Sequence, residues 1–141
     1  MYDNRPGPEH MAAEKFGRLL NAATHLAEHL AEAPVLIFAC LKERPLPPQL
    51  AAKLARLSGS SIYPAVQNML LTCRALGIGA TLTTVSSLYE EELKKVLGLP
   101  EDVNTYALLP IGYPLGRFGR VSRLPVEEVT CLDRWGTTFR K

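Results

Sequence analysis

Apolar side chains recur at three- and four-residue steps between Ala12 and Ala33. Phe16, Leu19, Leu20, Ala23, Leu26, Ala27 and Leu30 form one stripe, and this spacing predicts a single helix that Pro34 stops. The unbroken apolar run Val35–Leu41 then reads as a buried strand. After the connector 42–48, residues 49–57 suggest a short helix, and the break at 58–61 offers hydroxyls to cap the next one. That helix is expected from Ile62 to Leu76, with Pro64 tolerated in its first turn. Its apolar positions spread beyond one stripe, which predicts burial on several sides.

Gly77 and Gly79 end this helix, and 78–84 reads as an extended, Thr-rich segment. Ser86 and Ser87 should cap a further helix, 88–97, with Glu90, Glu91 and Glu92 near its start and Lys94 and Lys95 near its end. Residues 106–113 form a second strong strand pattern, closed by Pro114. The order is mixed helix and strand, with at least two strands expected in mid-sheet positions and no internal repeat. The chain of 141 residues is the size of one domain.

Charge narrows the field only slightly. Lysines and arginines number 16 against 14 acids, a net +2, which does not point to nucleic acid. Residues 117–141 are richer, with six basic groups against three acids, and Arg117, Arg120 and Arg123 recur at three-residue spacing. This segment suits either a solvated basic tail or a bound anion. The longest apolar run, seven residues, is far below the roughly 18–20 of a membrane span, and the polar start MYDNRPGPEH has no signal-peptide core. Cys40, Cys73 and Cys131 are odd in number, widely spaced and set among apolar residues. We expect reduced, mostly buried thiols and a cytoplasmic setting.

The most conspicuous short motif is His25-Leu26-Ala27-Glu28-His29, a match to the H-x-x-E-H zinc-peptidase pattern. With Ala23 at zero on a helical wheel, the apolar residues fall within about 60° of the axis. On that wheel His25 lies near 200°, Glu28 near 140°, His29 near 240° and Glu32 near 180°, all turned away from the core. The motif therefore reads as a solvated face, and no metal is expected. No G-x-S-x-G, P-loop or dinucleotide fingerprint is present. The segment 60–84 carries more information: a wide-faced helix leaves through Gly77-Ile78-Gly79 into Ala80-Thr81-Leu82-Thr83-Thr84. Glycines let a flat ligand approach the backbone, and small hydroxyls can bond ring heteroatoms without filling the space, although a plain helix-to-strand turn has the same pattern.

Five ordered blocks resemble the nitroreductase family of FMN-dependent oxidoreductases. Residues 61–71 with 74–80 are similar to that family's central helix and exit turn. Ala31–Ile37 is similar to its strand entry, Val96–Pro100 to its helix end, Leu108–Pro114 to its "lipiGyP" strand, and Arg120–Val129 to its "R-x-pleevv" tail. The resemblance covers about residues 12–136, read as the C-terminal two-thirds of a nitroreductase-like domain between a flexible lead, 1–11, and a tail, 137–141.

It implies an α+β fold with a mostly antiparallel sheet flanked by helices. It also implies a homodimer binding FMN at the subunit interface, with NAD(P)H as co-substrate and a small-molecule electron acceptor, and with neither nucleic acid nor membrane as partner. The flavin carries the chemistry, so no catalytic side chain is expected. By the same resemblance Ser60, Ser61 and Pro64 approach the flavin, Thr83 and Thr84 face its isoalloxazine ring, and Arg120 and Arg123 reach its phosphate. The family's opening Arg-Arg-Ser-x-Arg segment has no counterpart here, so an N-terminally shortened member is expected. The alternative class is a non-catalytic dimeric flavin-binding or interaction module that has lost part of its flavin site.

Overall fold

The computed structural model describes residues 12–54, 57–119 and 123–138. Helix α1 spans Ala13–Glu28, and a 3-10 turn, Leu30–Glu32, leads into β1, Val35–Lys42. Helices α2, Pro48–Leu54, and α3, Ile62–Ala75, precede the short strand β2, Gly79–Ala80. A further 3-10 turn, Val85–Tyr89, runs directly into α4, Glu90–Leu97; β3, Val103–Gly112, and the single turn α5, Val126–Val129, follow.

The first helix stops sooner than its pattern suggests. Pro34 disfavours a helical residue at position 33, and the chain leaves α1 at His29, with φ −111°, and tightens into the 3-10 turn. Helix α3 agrees with the expected bounds to one residue. Gly77, at φ +72°, supplies the left-handed turn after it, where Ile78 N–H donates to Cys73 carbonyl at 2.8 Å.

Three antiparallel strands make the sheet, in the order β1-β3-β2. Only β3 is central. The expectation of two mid-sheet strands is corrected accordingly: β1 is an edge strand, with Val35, Leu36 and Cys40 exposed and Ala39 buried. Ile37 opposes Leu109 and Ala39 opposes Ala107, and this face packs under α3, where Val66 is fully buried. The opposite face carries Phe38 paired with Leu108. Leu108 lines a cavity of about 450 Å³ with Leu26 and Leu30 from the α1 side and Val85 and Tyr89 from the 3-10 turn before α4.

Helix α3 is not enclosed on several sides in this chain. Val66 alone is fully buried in it, while Leu71 is 56% exposed and Leu76, just after it, 68%. The thiols also differ from expectation, since Cys40 and Cys131 are exposed and Cys73 is half-buried. Their neighbours in sequence are apolar, but edge-strand and tail positions have no layer covering them. Among the described residues no helix is long and apolar enough to cross a membrane.

Candidate functional site

Two features of β3 position the residues around it. The first is Pro110. Leu108 and Thr83 exchange both backbone hydrogen bonds at 2.9 Å, so alternate N–H groups of β3 point toward the β2 side. The next in line belongs to residue 110, a proline with no N–H to give. The ladder therefore opens between Ala80 and Thr83: Thr81 and Leu82 leave it, and Thr83 rejoins opposite Leu108. This places Thr83 in the cavity beside Leu108, and its Oγ1 accepts the Val85 N–H at 3.4 Å. Thr84 follows, exposed, with no hydrogen bond from its hydroxyl among the described residues.

The second feature is a bulge. Ala39 pairs with Ala107 and Cys40 with Thr105, which leaves Tyr106 as an extra residue on β3. Strict alternation would put Tyr106 on the Leu108 face; the bulge re-aims it toward α3. There its hydroxyl lies 2.6 Å from Ser58 Oγ and donates to the Glu43 carboxylate, and its carbonyl accepts the Tyr63 hydroxyl at 3.3 Å. Burial, followed by the Glu43 carboxylate, pushes the Tyr106 phenol above its ordinary pKa, so it stays protonated and donates. Beyond the bulge Thr105 points the other way, where Glu90 accepts from its N–H at 2.8 Å and from its hydroxyl.

Gly59 completes the turn before α3. It sits at φ +83°, and a Cβ there would lie 2.5 Å from Tyr63 Cε2. The tight turn sets Ser60 and Ser61 at the mouth of α3. Ser61 lines a cleft of about 560 Å³ with Ser58, Tyr106, Glu43 and Arg44. Neither Ser60 nor Ser61 makes a side-chain hydrogen bond among the described residues, and Pro64 is exposed one turn on.

The residues expected around a flavin are thus in two groups. Ser60, Ser61 and Pro64 lie at the start of α3; Thr83 and Thr84 lie beyond β2, with Thr83 in the cavity on the opposite face of the sheet. None of the described cavities holds members of both. Arg123 is exposed at the start of the last described segment, and Arg120 lies outside the described residues. The donor types nevertheless fit a flavin: Ser60, Ser61 and Thr84 present exposed hydroxyls with no hydrogen bond among the described residues, small enough to admit a ring, and Arg123 lies on the tail side. Tyr106 and Glu43 were not singled out by sequence reasoning, and Ser58 was read only as a capping hydroxyl. The period of 103–112 gives no sign of the bulge that brings them together.

The nitroreductase family model matches residues 3–113. A candidate NADH dehydrogenase/NAD(P)H nitroreductase of Methanothermobacter thermautotrophicus is 31% identical over 109 residues, covering 74% of this chain and 52% of its own. The chain thus spans about half the length of that relative. Among solved structures, a candidate oxidoreductase from Bacteroides fragilis superposes with a TM-score of 0.62 at 18% identity, over 86% of this chain and 54% of its own. A variant of NfnB, the FMN- and NADPH-dependent nitroreductase of Sphigopyxis sp. strain HMH, gives 0.58 at 21% identity, over 90% and 54%. At these identities the solved structures establish the α+β architecture. Together with the family match over most of the chain, that architecture makes this protein a member of the nitroreductase family.

Proposed function

We propose that this chain belongs to an FMN-dependent oxidoreductase that takes electrons from NAD(P)H and delivers them to nitroaromatic, quinone or related small acceptors in ping-pong turnover. The family match across residues 3–113, which contains both candidate groups of flavin contacts, carries this reading. In such an enzyme the bound flavin supplies the chemistry by accepting a hydride and passing electrons on. The chain's own groups bind and orient. Ser60, Ser61 and the Pro64 turn approach from the start of α3, Thr83 and Thr84 from beyond β2, and Arg123 with Arg120 offers fixed positive charge to the phosphate.

The separation of the two groups is understandable if a second copy completes the enclosure. Large apolar side chains stand in solvent on this chain: Tyr113 is 86% exposed and Trp135 97%, besides Leu71 and Leu76 at α3. Patches of this kind mark interaction surfaces, and they support a homodimer with the flavin between its subunits. The test is oxidation of NADH or NADPH by the purified chain after incubation with FMN, with a quinone as acceptor. FMN-dependent turnover is the expected result; its absence with both nucleotides would overturn the proposal in favour of a non-catalytic module.

A further inference from the structure

The histidine pair at the end of α1 is not used by the flavin reading. His25 and His29 are four residues apart, one helical turn, so they stack on the same side of the helix. Their ring centroids are 4.3 Å apart with planes inclined at 36°. His29 Nδ1 lies 2.6 Å from Glu32 Oε1. With that nitrogen donating to the carboxylate, the lone pair remains on Nε2, the arrangement by which outer carboxylates orient metal-binding imidazoles. The His25 imidazole makes no hydrogen bond among the described residues. Both rings, with Glu32, line a cavity of about 320 Å³ whose far wall includes Gly79, Tyr113 and Pro114. The carbonyl end of α1 and the nearby Glu28 add negative potential.

We propose that His25 and His29 form a two-imidazole site for a divalent transition-metal cation, with Glu32 as the group that orients His29. Among the described residues no set of three or more His, Cys, Asp or Glu converges on a metal position. Two imidazoles leave the remaining coordination positions to water, unlike the closed four-ligand site of structural zinc.

The spacing favours one coordination geometry. A metal–nitrogen bond of about 2.0–2.1 Å plus about 1.1 Å to the ring centre puts each centroid about 3.2 Å from the metal. When both rings point at the ion, centroids 4.3 Å apart subtend about 85° at it. That is close to the right angle between neighbouring ligands of tetragonal or octahedral Cu(II) and Ni(II), whereas a tetrahedral ion would need centroids about 5.2 Å apart. The site is independent of the flavin reading, because neither imidazole belongs to the candidate flavin contacts.

The experiment is calorimetric titration of the full chain with nickel chloride, in the parent and in His25→Gln, His29→Gln and His10→Gln. Two ligands one turn apart at a helix end act as a chelate, and linked contacts gain about 10²–10⁴ over one alone. The parent should bind one Ni(II), His25→Gln and His29→Gln should each weaken it by about 100-fold or more, and His10→Gln should leave it unchanged. Both positions are exposed, so circular dichroism should report an intact fold in each variant. Nickel should also raise the melting temperature of the parent and leave that of the double variant unmoved. Absence of binding in the parent, or equal affinity in the parent and the His25 and His29 variants, overturns the site. Tighter binding of Zn(II) than of Ni(II) by the parent overturns the right-angle geometry.

Discussion

Gly59→Ala tests how the turn before α3 is held. Two costs are expected. The backbone sits at φ +83°, and a left-handed conformation costs an L-residue about 1–2 kcal/mol. The new Cβ would stand 2.5 Å from Tyr63 Cε2, so the ring must swing aside. Moving it sacrifices the edge-on contact with Tyr106, 6.0 Å between centroids, and the 3.3 Å hydrogen bond to the Tyr106 carbonyl. Each is worth about 0.5–1.5 kcal/mol, and because Tyr63 is 40% exposed the low half of that range applies. The sum is about 2–4 kcal/mol. Urea unfolding at fixed protein concentration measures it, with the midpoint shifting and the slope unchanged. In a Tyr63→Ala background the clash is gone, so the same substitution should cost only the backbone share of about 1–2 kcal/mol. Equal costs in the two backgrounds, or a loss under about 0.5 kcal/mol in the parent, would refute the clash as the reason for glycine.

Three further outcomes are expected. Leu109→Ala removes a fully buried side chain from the layer between β3 and α3, and it should cost about 2–5 kcal/mol in the same unfolding assay. Arg123→Ala should weaken FMN by roughly 10- to 150-fold while leaving riboflavin, which has no phosphate, unchanged, because a hydrogen bond to a charged group is worth about 1.5–3 kcal/mol; equal weakening of both ligands in parallel flavin titrations would make the arginine structural. The hydrogen bond and charge of Glu32 raise His29 above its usual 6.5, so the pair's stabilisation is complete below that pH and fades as pH climbs through the raised value. A proton NMR titration should show this elevation, and Glu32→Gln should remove it.

How far the sequence foretold the molecule depended on whether local chemistry decided the outcome. Helix α3 was legible because its spacing and its glycine exit agreed, and its observed bounds differ by one residue, although the Ser61 hydroxyl expected to cap it makes no capping hydrogen bond. The wheel that turned His25 and His29 away from the core was right about exposure, but it gave no hint that both rings line a cavity at the sheet edge. The apolar run at 35–41 looked central yet forms an edge strand, because an apolar run reports that a strand can be buried without fixing how many strands lie beside it. Tyr106 was hidden for another reason. A bulge changes the side a residue faces without changing its type, so alternation misplaces it. Pro110 was visible throughout, but its effect on Thr83 follows only from knowing which N–H direction it lacks.

We propose that this chain's surfaces hold FMN between two copies. The most direct measurement is sedimentation equilibrium of the chain with and without FMN, read at a flavin absorbance band. The account requires flavin to travel with a species of twice the chain mass, near one FMN per chain. Flavin that stays with the free solute while the protein sediments as a monomer of 15.5 kDa would contradict it.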